Sequence, residues 1–179
     1  QHIFADEHEG RVLSALLKQN MSLIAAHTNM DKTAYSGSAR LAGKLKLGPI
    51  SRAGEYLFMI DLDKPVSAGE LEGYLEKKLG RKVIRFGDQG GKITRLAVAG
   101  GAYDEGFFEA RTLGAQALLT GEVRHHNAIA AVQSGIVLFE GGHFETEVPM
   151  VEPLRDGLQK ALDSLEYHVR VFCSTTPMY

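Results

Sequence analysis

The sequence predicts an α/β fold with largely buried sheets, and three observations carry that expectation. Strand-like apolar runs alternate with segments of helical periodicity along almost the whole chain, joined by short connections. Several runs, such as ITRLAVAGG (93–101), AQALLTG (115–121) and IVLFEGG (136–142), are apolar at successive positions, as in strands covered on both faces. From residue 93 the order strand–helix–strand–helix–strand–helix reads as successive βαβ units, whose crossovers should be right-handed.

Taken in order, EGRVLSALLKQN (9–20) places Val12, Leu13, Leu16 and Leu17 on one helical face. MSLIAAH (21–27) reads as a short buried strand ending at His27, followed by the loop TNMDKTAYSG. SARLAGKLKLG (38–48) predicts a helix stopped by Gly48 and Pro49. EYLFMIDLD (55–63) predicts a strand, and SAGELEGYLEKKLG (67–80) a helix with Ser67 as its cap and Gly80 at its end. KVIRFG (82–87) and 93–101 are strands separated by the turn DQGGK. The helix EGFFEARTLG (105–114) leads into the strand 115–121, and EVRHHNAIAAVQSG (122–135) is helical before the strand and turn at 136–142. VPMVEPLRDGLQKALDSL (148–165) is the last long helix, and EYHVRVFCS (166–174) a closing strand. A two-part organisation, 1–63 and 64–179, is expected, the parts tightly joined.

Bulk properties narrow the function. At 179 residues, 44% hydrophobic and 23% charged, the chain has the make-up of an ordinary globular protein. A net charge of −2 without basic runs gives no reason to expect nucleic acid or an anionic membrane as partner. No signal-peptide or membrane-spanning pattern occurs, and the single Cys173 excludes an internal disulfide, so a reducing, cytoplasmic setting is expected.

In α/β sheets ligands gather beyond the carboxyl ends of the strands. Here those ends are expected at 25–27, 99–101, 119–121 and 140–142, and each finishes in histidine or glycine. H-T-N-M-D spaces His27 and Asp31 four apart, as on one side of a helical turn, although the preceding apolar run places them in a strand-end loop. G-H-F-E-T-E likewise separates His143 and Glu147 by four. Imidazole with carboxylate suits zinc, manganese or iron(II) better than calcium. The competing assignment makes Thr146 the N-cap of the last helix, with Glu147 near its N-terminus and Pro149 in its first turn; it leaves His143 unexplained. In T-G-E-V-R-H-H-N, adjacent helical histidines face different directions, so only one of His125 and His126 can enter a shared pocket.

Rival sites are poorer. AGGAYDEG lacks dinucleotide-binding glycine spacing, GDQGGK lacks the phosphate-loop pattern, and no G-x-S-x-G elbow occurs. Cys173 lies in an apolar run, the setting of a structural thiol.

HTNMD (27–31), LLTGEVRHHNA (118–128) and above all GIVLFEGGHFETE (135–147) resemble the Nif-three-like proteins, also called GTP cyclohydrolase I type 2 homologues. The resemblance implies an α/β fold of two related lobes, assembled as a ring-shaped homohexamer with two divalent metal ions per subunit. It carries metal-ligand roles onto Asp31, His143 and Glu147, and a place at or beside the metals onto His27. His126 matches a histidine near the site but outside the usual ligands. The family's earlier His-His-Pro element is missing; neither His2 nor His8 has its paired spacing, so the role passes to neither. The natural protein is therefore expected to extend N-terminally, and this chain to hold one weakly bound ion or none.

The expected function is metal-assisted hydrolysis of a small nucleotide-like or phosphoester-like molecule. Asp31 and Glu147 would bind the ions, His143 would complete a coordination sphere, and His126 or His27 would pass a proton to the leaving group. The alternative is a non-catalytic, ring-forming metal-binding scaffold, in keeping with the family's transcription-related partners.

Overall fold

The protein, seen in a computed structural model, is described over residues 6–33, 35–88 and 90–176, which leaves His2 and parts of the 28–37 and 88–92 loops outside the described residues. Helix α1 (His8–Lys18) and the single turn α2 (Thr28–Asp31) precede α3 (Gly37–Leu45), the short strand β1 (Ile50–Arg52) and β2 (Phe58–Val66). Then come α4 (Ala68–Leu79), β3 (Ile84–Phe86), β4 (Ile93–Val98), α5 (Phe107–Thr112), β5 (Ala117–Thr120) and α6 (His125–Ser134). The strand β6 (Val137–Glu140), the five-residue α7 (His143–Glu147) and α8 (Val151–Ser164) complete the order.

The strands form one mixed sheet in the order β1-β2-β4-β5-β6-β3. β4, β5 and β6 are parallel at its centre, while β2 and β3 flank them antiparallel. Each central strand buries both faces. Leu96, Val98, Leu119, Val137 and Phe139 meet Leu41, Leu45, Leu71 and Leu75 of α3 and α4. On the other side Ala97, Leu118 and Leu138 meet Phe107, Ala110 and Ala131 of α5 and α6. Three layers result, which is why these strands read as unbroken apolar runs. β2 runs through residue 63, so one sheet draws on both sides of that position.

Two expected strands are absent. Residues 21–27 make no ladder, and Met21, Leu23 and Ile24 are exposed, Ile24 by 90%. The run has the composition of a strand but pairs with no other strand among the described residues. Residues 166–174 also form no strand. Instead the Gln159 side chain serves as their partner, its amide donating to the Val169 carbonyl (3.0 Å) and its oxygen accepting from Val171 N–H (2.9 Å).

Helix ends follow local chemistry more closely. Ser67 accepts from Glu70 N–H, and the Glu70 carboxylate accepts from Ser67 N–H at 2.7 Å, a complete capping box. Ser67, through its hydroxyl and backbone N–H, and then Lys92 hold the Glu70 carboxyl down to about 2. A depressed carboxyl stabilises the fold fully above its unfolded value, here near 4.5, and the contribution is lost as pH falls towards the folded value. Ser67→Ala is expected to cost about 1 kcal/mol at neutral pH, and thermal melts from pH 5 to 2 should show it removing part of the wild-type acid sensitivity. An unchanged acid profile would assign that sensitivity to other carboxylates.

Candidate metal centre

The parallel strands all end at one edge of the sheet, and glycines follow each: Gly100 and Gly101, Gly121, and Gly141 and Gly142. Backbone hydrogen bonds continue past the strands, from Gly121 N–H to the Gly101 carbonyl (2.7 Å) and from Gly142 N–H to the Gly121 carbonyl (3.0 Å). The strand-end loops are therefore stacked in the same order as the strands.

Helix α7 begins directly beyond Gly142, where the sequence had pointed to a turn. Its single turn puts His143 and Glu147 on one face, with His143 Nε2 3.5 Å from Glu147 Oε2. The other ring nitrogen, Nδ1, lies 2.7 Å from Glu122 Oε1. In a neutral imidazole this contact puts the proton on Nδ1 and leaves a lone pair on Nε2, facing the Glu147 carboxylate.

Three hydroxyls hold this arrangement in place. Thr146, fully buried, accepts from Gly101 N–H (3.1 Å) and donates to the Gly142 carbonyl (2.8 Å). Ser38, on α3, accepts from Gly100 N–H at 2.9 Å. Thr120 accepts from Tyr103 N–H (3.1 Å) and donates to the Gly101 carbonyl (3.0 Å). Thr146 is thus a strut inside α7, and the expected N-cap role is corrected. The last helix starts at Val151, behind a 3-10 turn over Val148–Met150 that contains Pro149, and no side chain caps it.

His27 and Asp31 also belong to a helical turn and not to a strand-end loop. His27 N–H donates to Asn29 Oδ1 (2.9 Å), and Met30 N–H donates to the His27 carbonyl (2.8 Å). His27 is the N-cap residue of that turn, outside its helical dihedrals, and Asp31 is its last residue. Burial pushes the Asp31 carboxyl up, and the neighbouring His27 offsets this only in part.

His27, Asp31, His143 and Glu147 line one cleft of about 290 Å³, together with Tyr56 and Tyr103. Among the described residues, no three His, Cys, Asp or Glu side chains stand close enough to share an ion as they are oriented here. His126 is exposed in the first turn of α6 and does not line the cleft; His125 is exposed too and lines a separate groove beside Arg85 and Ile129. His8 is exposed on α1.

Sequence reasoning missed Glu122 as the partner of His143, although it is the acid next to the strand-end glycine in T-G-E. It also missed both tyrosines, which no motif marks.

The donor chemistry fits a divalent cation in part. Two imidazoles and two carboxylates on one cleft form an N/O set suited to zinc, manganese or iron. The Glu122 contact is the outer-shell support that a metal-bound histidine ordinarily has. For two ions the set is short of donors.

The family model Duf34/NIF3 (NGG1p interacting factor 3) matches residues 1–177. A protein of Clostridium perfringens (strain 13 / Type A), named GTP cyclohydrolase 1 type 2 homolog, is 26% identical over 171 residues, covering 90% of this chain and 65% of its own length. The protein of the same name in Streptomyces coelicolor is 29% identical over 189 residues, covering 97% and 66%. The chain thus spans about two thirds of these curated relatives. The crystal structure of a Bacillus cereus protein related to NIF3 superposes with a TM-score of 0.90 at 14% identity, covering 100% of this chain and 78% of that one, a likeness of fold.

Proposed function

This chain belongs to the Duf34/NIF3 family, and on that premise we propose that its cleft binds a divalent cation which the whole protein uses to hydrolyse a small molecule. His143 and Glu147 are the first ligands, Asp31 closes on the ion, and His27 stands beside it. The setting of His143 carries this proposal. With Nδ1 turned to Glu122, the other ring nitrogen, Nε2, stands 3.5 Å from the Glu147 carboxylate, beyond hydrogen-bond reach, so nitrogen and carboxylate present adjacent donors to one ion. A cation placed between that nitrogen and that carboxylate would be held by both. Burial of Asp31 acts in the same sense, because a nearby cation offsets the desolvation of its charge.

A divalent ion held there supplies Lewis-acid polarisation and a nucleophile available near neutral pH. The chain's own residues bind and orient. Glu122 keeps the Nδ1 proton and fixes the ring plane of His143, and Thr146 fixes the backbone of α7. His27 lines the cleft and passes a proton to the leaving group ahead of His126, which stands outside its lining. A nucleotide or phosphoester is the substrate class in keeping with the relatives' name. Two ions, of zinc, manganese or iron, are proposed for the complete protein, and one for the ligands described here.

A second role rests on a different observation. Leu17, Leu23 and Ile24 near α1, and Leu165 and Phe172 after α8, are exposed apolar side chains. Such surface favours assembly of copies of this chain, with a hexamer as the proposed state, and a ring whose ions are structural would need no turnover. Among the described residues no helix is long and apolar enough to cross a membrane.

Calorimetric titration with Mn²⁺ or Zn²⁺ tests the metal. Glu147→Ala is expected to weaken binding beyond detection, and Glu122→Gln by about tenfold. Binding should also weaken on acidification, because metal and proton compete for Asp31, whose raised carboxyl protonates at higher pH than an ordinary aspartate. Asp31→Asn should flatten that acid limb. Turnover of phosphoesters that persists in EDTA, or is unchanged in Glu147→Ala, would reject metal-assisted hydrolysis at this site.

A further inference from the structure

One wall of the cleft has no part in holding the cation. Tyr103 and Tyr56 line it, their ring centroids 5.7 Å apart and inclined at 58°. Both rings are only half-buried, yet Tyr103 is held at every side. Its N–H donates to Thr120 Oγ1, and its hydroxyl donates to Glu109 Oε2 at 3.2 Å. A Cβ at position 106 would collide with the Tyr103 ring, so Gly106 makes room for the ring to pack there. Tyr56 rides on the loop between β1 and β2, which Ala53 N–H closes by donating to the Leu57 carbonyl (3.0 Å). Arg52 braces the same loop by donating to the carbonyls of Gly54 (3.1 Å) and Glu55 (2.7 Å).

A ring that merely fills the core needs none of this bracing, because close packing fixes it. Here a half-exposed pair is pre-set beside two imidazoles and two carboxylates. With its hydroxyl engaged by Glu109, Tyr103 offers the cleft apolar, π-rich ring surface.

We propose that Tyr103 and Tyr56 form a receiving wall for a planar ring, so that the molecule bound in this cleft is a small aromatic or heteroaromatic compound and not an acyclic one. The proposal rests on the metal site above for the place where the ligand's polar end is held. The cleft's volume, about 290 Å³, suits a ligand of one or two rings. Tilted and offset stacking are the geometries aromatic pairs prefer, and the 58° inclination of the two tyrosines already presents differently directed faces.

The test compares phenyl phosphate with n-propyl phosphate, which share an anionic head and differ in the ring. Calorimetry is run on the Mn²⁺-loaded wild type, Tyr103→Leu, Tyr56→Leu and Tyr103→Phe. Mn²⁺ uptake is followed separately by electron paramagnetic resonance. Saturation-transfer NMR with benzyl alcohol in EDTA reads the wall without any metal. The expected result is phenyl phosphate binding about five- to tenfold more tightly than propyl phosphate. The preference should vanish in both leucine variants and persist in Tyr103→Phe, with Mn²⁺ uptake unchanged. Equal binding of the two phosphates, or a preference that survives both leucine variants, overturns the proposal and leaves the metal site standing. If Mn²⁺ does not bind, the metal site fails instead, and the benzyl alcohol arm decides: signals lost in Tyr103→Leu support the wall, and signals equal to wild type overturn it.

Discussion

Gly101→Ala is expected to abolish measurable Mn²⁺ binding while the protein stays folded. Gly101 has φ +68, and a Cβ built there would stand 2.5 Å from Glu147 Oε1 and 3.5 Å from His143 Nε2. The closest atom is the end of a flexible side chain, so the carboxylate gives way and the backbone does not. What moves is the proposed ligand. The left-handed backbone conformation adds about 1–2 kcal/mol of strain for a residue with a Cβ, which lowers the melting temperature by only a few degrees in a chain of this size. Metal affinity and stability therefore separate. Calorimetric titration alongside a thermal melt checks this; near-wild-type Mn²⁺ affinity in the variant would mean that Glu147 does not hold the ion from this position.

Asp104→Ala is expected to produce the largest loss of stability of any single change considered for this fold, about 3 kcal/mol. Its side chain is 2% exposed and lies in the 3-10 turn before α5. It accepts from the backbone N–H of Arg124 (2.7 Å), from the Arg124 guanidinium (2.9 Å) and from the Asn127 amide (2.9 Å). Arg124 is the N-cap residue of α6, so one carboxylate ties the loop after β4 to the start of the helix between β5 and β6. Alanine leaves the buried Asn127 amide and the Arg124 N–H without that partner. Burial alone would raise this carboxyl, but the donors from Arg124 and Asn127 together outweigh it and hold it below its ordinary value. The stabilisation is thus complete above that ordinary value, near 3.8, and is lost as pH falls through the depressed one. Thermal unfolding at pH 7 should show the drop, and Asp104→Asn, which keeps an acceptor but no charge, should fall between wild type and alanine. A melt of Asp104→Ala superimposable on wild type would show that the network is not a stabilising tie.

How much of this was readable beforehand divides along a physical line. The sequence determined the α/β class, because burial on both faces forces unbroken apolar runs at β4, β5 and β6, and such runs are visible without coordinates. It determined the ends of α4 as well, since Ser67, Glu70 and Gly80 act on backbone groups a few residues away. The spacing of four in His143–Glu147 likewise told of a shared face. Only the tertiary structure decided that residues 21–27 and 166–174 are not strands, because a strand exists through its partner and local composition names no partner. Only it showed that Glu122, far from His143 in the chain, holds that ring, and that two tyrosines from separate loops face the same cleft. Periodicity and capping are short-range and are written locally. Convergence across the sheet edge is set by the stacking of the glycine loops, whose distances no linear pattern contains.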